Sequence, residues 1–330
     1  MEYRRLGSSD VTVSEISLGS WLTFAGGVGQ DTVRACTEAA FDAGITLFDT
    51  AEVYGNGAAE SAWGEILSNH ARDSYVLATK VWGSLKPPEQ GQTGDYIRRA
   101  IDASLRRLRT DYVDLYQVHR FDVNVPIEET IEALTSLVTS GKVRYLGFSE
   151  WTPQQIRAGI DVAGPGLFVA SQPQYSLLWR APESEVFPLC EANGISQIVW
   201  SPLAQGLLTG KYRPGQQYPS DSRFASGDMN VSMHLIANDQ TIAAAQRLLP
   251  IAEQAGLSMS RMALAWVLRR SEVASAITGA SRPEQVRENA CSSGVELSAD
   301  VLAAIDDAVA GVAVTEPTLA VYAQEGVLHR

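Results

Sequence analysis

Cysteine is scarce in this chain, with three among 330 residues, at Cys36, Cys190 and Cys291. They are widely spaced, odd in number and set in helix-like or apolar surroundings. A disulfide framework and zinc-type ligand spacing are excluded, and no metal site is expected. No stretch reaches the roughly 18 apolar residues that a membrane span needs. No apolar signal core follows the opening Met-Glu-Tyr-Arg-Arg-Leu-Gly, so the cytoplasm is the expected location. Positive charge is also short: 26 Lys and Arg stand against 38 Asp and Glu, a formal net charge of -12. Such a protein repels a phosphate backbone, so neither nucleic acid nor a membrane is expected as a partner. Any phosphate ligand needs a local cluster of positive groups. Finally, no Gly-x-Gly-x-x-Gly follows an early strand; Gly26-Gly27-Val28-Gly29 lacks both the spacing and the strand-to-helix setting.

What is present is a regular alternation. Eight short, apolar, β-branched runs read as strands: Ser14 to Leu18, Thr46 to Thr50, Tyr75 to Lys80, Val113 to His119, Arg144 to Ser149, Phe168 to Gln172, Ser196 to Ser201 and Ala274 to Ala280. Continuous apolar runs of this length, separated by helices, indicate parallel strands covered on their outer side. Helices are expected from Asp31 to about Ala43 with Gly44 as stop, from Gly94-Asp95 to near Leu108, and from Ile127 to Ser140 before Gly141. Pro153 and Pro283 fall where first-turn prolines are tolerated. Eight such repeats in 330 residues predict one α/β domain over 1–330, a closed (β/α)₈ TIM barrel rather than an open doubly wound sheet. Tyr3 to Leu6 and Val11 to Val13 read as a short N-terminal β-hairpin. The longest stretch without periodicity, Gly210 to about Ser232, is expected to be a functional loop on the face where barrel active sites form.

The strand ends carry the chemistry. One strand ends Phe48-Asp49 with Tyr54 five residues on, a second ends in Lys80, and a third ends in His119. Each residue alone has a plain structural explanation, as a turn cap, a solvated strand end, a packed phenol or a core imidazole. Their convergence at the C-terminal ends of successive barrel strands favours catalysis. A phenol with a pKa near 10 is a poor acid, and a neighbouring ammonium is expected to lower that pKa. Tyr54 is then the proton donor to a carbonyl oxygen, Asp49 holds Lys80, and His119 orients the carbonyl or assists the proton transfer. Hydride must come from a cofactor, because no side chain supplies it.

With these surroundings Asp49, Tyr54, Lys80 and His119 resemble the catalytic tetrad of the aldo-keto reductase superfamily. The resemblance extends to Leu6-Gly7, to Leu47 through Tyr54, to Trp200-Ser201-Pro202-Leu203-Ala204 and to Gly279 through Gln285. Gly19 through Phe24 and Gly206 through Tyr212 are similar to the branch containing voltage-gated potassium-channel β subunits. The resemblance implies NADPH bound in an extended pose across the strand ends. It places Trp21 near the nicotinamide, Ser149 and Gln172 on its carboxamide, and Tyr175 stacked on its ring. It puts Ser201, Leu203, Gly206 and Lys211 around the pyrophosphate with Arg223 from the long loop. Gly279, Ser281, Gln285, Glu288 and Asn289 fall at the adenosine end, where Ser281 also suits a helix cap before Pro283.

Three departures stand out. Glu150 follows Ser149 where relatives more often carry an amide or arginine, which alters the pocket or the carboxamide contact. Gln285 replaces a common arginine, leaving Lys211, Arg223 and Arg282 to meet the 2′-phosphate that separates NADPH from NADH. His119 stands where the animal channel subunits carry an amide, which favours turnover. The resemblance surrounds a small-molecule carbonyl substrate with Trp21, Tyr54, Trp82, His119 and Trp151, a setting for aldehydes and ketones of moderate size. A redox-sensing accessory subunit with slow turnover, and a dehydrogenase running in the oxidative direction, use the same residues. The channel-subunit branch forms tetramers, so a homo-oligomer is open to this chain.

Overall fold

The computed structural model describes residues 1–21, 23–82, 84–86, 89–220, 222–225 and 238–317, with backbone alone for 84–86, 89–90 and 223. A hairpin of β1 (Tyr3–Arg5) and β2 (Thr12–Ser14) opens the chain. Then come β3 (Ile16–Gly19), α1 (Gln30–Asp42), β4 (Leu47–Asp49), α2 (Ala58–Leu67) and β5 (Val76–Val81). A second hairpin, β6 (Ser84–Lys86) and β7 (Glu89–Gly91), precedes α3 (Gly94–Leu108). The alternation continues with β8 (Val113–Val118), α4 (Ile127–Thr139), β9 (Val143–Ser149), α5 (Pro153–Ala163), β10 (Phe168–Gln172), α6 (Val186–Glu191) and β11 (Ser196–Val199). Two helices, α7 (Asp239–Gln254) and α8 (Met259–Leu268), lead to β12 (Val273–Thr278), and α9 (Pro283–Ala290) and α10 (Ala299–Val309) follow.

The eight strands expected from sequence form a closed parallel barrel in the order β3-β4-β5-β8-β9-β10-β11-β12, with β12 returning to β3. The fold is a (β/α)₈ barrel. Helices begin and end where the chain signals them. Thr152 accepts from the Gln155 amide and Gln155 answers to the Thr152 amide, a reciprocal cap with Pro153 at the first position of α5. Along α3 the buried residues Ile97, Ala100, Ile101, Ser104, Leu105 and Leu108 recur at helical spacing and face the strands. The β6–β7 hairpin was not expected, because its run has neither strand alternation nor a β-branched residue. Of the expected loop, residues 210–220 and 222–225 are irregular apart from a short turn at Arg223–Ala225, and 226–232 lie outside the described residues.

The barrel interior is layered. At its base Leu47, Val76, Ala78, Leu115, Ala170, Ile198 and Ala274 pack with Leu6 and Val13, so the N-terminal hairpin closes the bottom. Side chains two residues apart share a face of a strand. One step further up these inward tracks the residues become Asp49, Lys80, Gln117, Gln172 and Trp200. The apolar floor thus gives way to a polar layer at the C-terminal ends. Gly147 allows this layer to close, since a Cβ there would meet the Ala170 carbonyl at 2.8 Å and Gln117 Cγ at 3.1 Å.

Candidate active site

The polar layer opens into a cleft of about 1040 Å³ that runs over the barrel mouth to the start of α9. At one end Lys80 is fully buried and its ammonium donates three times: to Asp49 Oδ1 at 2.6 Å, to the Thr50 carbonyl at 2.8 Å and to Tyr54 Oη at 3.3 Å. Every ammonium proton has an acceptor. The second Asp49 oxygen accepts from Gln172 Nε2 at 2.9 Å and Gln117 Nε2 at 3.4 Å. The carboxylate is therefore held from three strands besides its own.

Tyr54 comes from the loop after β4. Three successive left-handed residues, Gly55, Asn56 and Gly57, turn the chain sharply into α2 and present the phenol to the cleft. At Gly57 a Cβ would lie 2.6 Å from the Arg107 side chain. The Tyr54 ring meets His119 edge-on with centroids 5.7 Å apart, and Trp82 also meets His119 edge-on, at 4.8 Å.

Burial pushes the Tyr54 phenol above its ordinary pKa, and the Lys80 charge pulls it down without overcoming burial. The expected net lowering is thus not what the structure gives. Tyr54 remains a protonated phenol at neutral pH, the form a proton donor needs. For Lys80, burial opposes the charge, but Asp49 and Tyr54 outweigh it and its pKa lies above the ordinary value. His119 is pushed well below its usual value by burial and by the positive charges of Arg120 and Lys80. It is a neutral imidazole whose Nδ1 is buried without a hydrogen-bond partner among the described residues.

The cofactor candidates Trp21, Ser149, Gln172, Ser201, Leu203, Gly206, Lys211, Gly279, Ser281, Gln285, Glu288 and Asn289 all line this cleft, as does the substrate candidate Trp82. Two candidates do not join them. Tyr175 is buried outside the cleft; its hydroxyl donates to Glu183 Oε1 at 2.5 Å and accepts from Arg269 at 3.0 Å, and its ring packs on Phe187 and Trp266. The reason is parity. Gln172 faces inward, Gln174 pairs with Trp200, and Tyr175 faces the opposite way. Trp151 is also buried outside the cleft, stacked on Phe148 at 4.7 Å and edge-on to Phe121 and Phe168, with α5 packed so close that a Cβ on Gly159 would touch it at 2.6 Å. It is a core residue between β9 and α5. The Arg223 side chain lies outside the described residues.

Sequence reasoning also missed residues that line the cleft: Arg120, Trp200, Gln205 and Thr278. Trp200 was recoverable, because it stands two positions beyond the inward Ile198. Arg120 follows His119 and is anchored by its Nη1, which donates to the His119 carbonyl at 2.7 Å and Ser149 Oγ at 3.2 Å. Gln285 bends back so that its Oε1 accepts from the Ser281 amide and hydroxyl. The expected cap is therefore reversed: Gln285 serves Ser281, and Arg282 is the N-cap residue. Among the described residues no group of three His, Cys, Asp or Glu is disposed to hold a metal ion. Nor is any described helix long and apolar enough to cross a membrane.

The model of the aldo/keto reductase family matches residues 15–310. The chain belongs to the aldo/keto reductase family. It is 38% identical over 299 residues to a probable voltage-gated potassium channel subunit beta of Oryza sativa subsp. japonica, covering 88% of this chain and 90% of that one. It is 36% identical over 323 residues to the L-glyceraldehyde 3-phosphate reductase of Escherichia coli strain K12, covering 94% and 93%. Among solved structures it resembles the glycerol dehydrogenase of Gluconobacter oxydans, with a TM-score of 0.79 and 30% identity over 94% of this chain and 95% of that one. This aldo-keto reductase is an oxidoreductase enzyme, and carbonyl reduction is the chemistry its family and relatives support.

Proposed function

We propose that this reductase converts an aldehyde or ketone to the alcohol with NADPH, using Tyr54 as general acid. The observation that carries the reading is the chain Asp49–Lys80–Tyr54, closed to water at its base and opening on the cleft beside a neutral imidazole. A substrate oxygen within reach of Tyr54 Oη takes its proton. The phenolate left behind faces the Lys80 ammonium, which Asp49 keeps charged, so negative charge develops where a cation already stands. Neutral His119 has an N–H to offer the same oxygen and cannot compete as an acid. Solvent then returns the proton to Tyr54.

The cleft suits a dinucleotide phosphate. It reaches from the Tyr54 end of the barrel mouth to the N-terminus of α9, and it carries Lys211 and Arg282 on its wall. A helix start and two cations favour an anion in a protein that is acidic overall. Trp21, Ser149 and Gln172 would hold the nicotinamide end. Ser201, Leu203, Gly206 and Lys211 would hold the pyrophosphate, and Gly279, Ser281, Gln285, Glu288 and Asn289 the adenosine. Bound there, NADPH would supply hydride to the carbonyl carbon. Arg282, beside the adenosine group at the start of α9, is the cation for a 2′-phosphate, which favours NADPH over NADH. Trp21 and Trp82 line the reacting end and suit an aldehyde or ketone of moderate size.

The test is loss of NADPH absorbance with a panel of aldehydes at neutral pH. Turnover that disappears in Tyr54→Phe supports the reading. Tight NADPH binding with no turnover on any carbonyl would replace it with a slow accessory role, of the kind suggested by the name of the Oryza relative.

A further inference from the structure

Glu150 is the departure that the catalytic reading leaves unexplained. Its backbone adopts φ +55, a region that costs a side-chain-bearing residue energy and that persists only when the surroundings impose it. Its side chain is buried, and burial raises its pKa against the opposing charge of Arg120. An acid in this position needs a structural reason.

The hydrogen bonds supply one. Glu150 Oε1 accepts from the Gln174 backbone amide at 2.5 Å and from the Trp200 indole Nε1 at 2.9 Å. Glu150 lies just past the end of β9, Gln174 just past β10 and Trp200 just past β11. One carboxylate oxygen therefore links the ends of three adjacent strands. The backbone of Trp200 is fixed as well, donating to the Pro173 carbonyl at 3.1 Å and accepting from the Tyr175 amide at 3.2 Å. Its ring then meets Trp21 edge-on at 6.1 Å, and Trp21 lies 6.5 Å from the Tyr54 ring. A continuous line of contacts runs from Glu150 through two indoles to the proton donor.

We infer that Glu150 is a positioning residue: it fixes the Trp200 indole as the aromatic wall of the cleft at the end where the nicotinamide binds. The inference rests on the proposed cofactor site. It gives the wall role expected of Tyr175 to Trp200, and it explains why an acceptor, rather than an arginine, follows Ser149. Glutamine would also satisfy the geometry, because its amide oxygen can accept both bonds. Alanine would leave the indole N–H and the Gln174 amide without their acceptor.

The experiment measures NADPH dissociation constants by the fluorescence of the bound cofactor, in wild type, Glu150→Ala, Glu150→Gln, Trp200→Phe and the Glu150→Ala/Trp200→Phe double variant. Circular dichroism of each serves as the folding control. Glu150→Ala is expected to weaken binding about tenfold, the scale of one lost charge-assisted hydrogen bond. Glu150→Gln should restore most of that affinity. The double variant should be little weaker than the worse single variant, because both changes break the same contact. Fully additive losses would overturn the inference, as would Glu150→Ala binding like wild type. If Glu150→Ala does not fold, Trp200→Phe decides: wild-type affinity there overturns the proposal. A wild-type protein that binds neither NADPH nor NADH would instead remove the cofactor reading beneath it.

Discussion

Lys80 donates to Asp49 Oδ1 across 2.6 Å, with the lysine side chain fully buried and the aspartate nearly so. Removing one partner of such a pair leaves a buried charge without its counter-ion, at a cost of about 3–5 kcal/mol. Lys80→Met is therefore expected to lower the denaturation midpoint and abolish carbonyl reduction together. Asp49 would keep only its two glutamine donors. Denaturant titration and steady-state rates check this, and unchanged values in both would contradict the proposed site.

Tyr54→Phe removes the proton donor but keeps the ring against His119 and Trp21. Turnover should fall by roughly 10²–10⁴-fold, the usual weight of general acid catalysis. NADPH affinity should hardly change. A variant that keeps its rate would transfer the proton donor elsewhere.

The pH dependence follows from His119 and Tyr54. The folded pKa of His119 lies well below its ordinary 6.5, so the neutral ring is favoured in the fold. Its contribution to stability is complete above the unfolded value and drains away as pH falls through the folded one, because the unfolded chain binds the proton first. Tyr54 is shifted the other way, above its ordinary 10.0. The profile of kcat/KM should be flat through neutrality and fall only on the alkaline side. A limb centred near pH 6.5 that vanished in His119→Gln would show a charged histidine in the reaction.

Trp151 and Trp82 should separate cleanly. Trp151→Ala empties a core position between β9 and α5 and should cost about 3–5 kcal/mol of stability. Its KM for a carbonyl substrate should stay near wild type. Trp82→Ala should raise KM with a smaller loss of stability, since Trp82 faces the cleft. Thermal melts and Michaelis constants of the two variants settle the assignment.

Arg282→Ala should weaken NADPH more than NADH, by about tenfold in the ratio of dissociation constants, whereas Lys211→Ala should weaken both alike. Equal losses for both cofactors in Arg282→Ala would mean that this cation meets the pyrophosphate rather than the 2′-phosphate.

Much of this was legible because inward strand positions repeat every two residues. Asp49, Lys80 and His119 end apolar runs, and a barrel gathers those ends. Tyr175 was placed by the resemblance and not by the alternation, which with Gln172 and Gln174 on one face puts Tyr175 on the other, against Phe187 and Trp266, and leaves the inward wall to Trp200. Trp151 misled for another reason. A tryptophan beside a strand end can face either the barrel mouth or the helix layer, and only the packing of Phe148, Phe168 and Gly159 decides. Glu150 was visible as an oddity, but its partners Gln174 and Trp200 lie 24 and 50 residues away, beyond any local pattern.

The hairpin that closes the barrel floor also sets a timetable. Arg4 donates to the carbonyls of Leu268 and Val273, 264 and 269 residues further along, and Gly7 donates to Ser196 Oγ. The first barrel strand finds one neighbour in the last, with Ile16 opposite Ala276. During synthesis Leu6 and Val13 emerge early and must wait for partners made near the end. Ring closure is thus a late, long-range event that follows assembly of the local strand–helix units, and the start of the chain stays open to premature association until then.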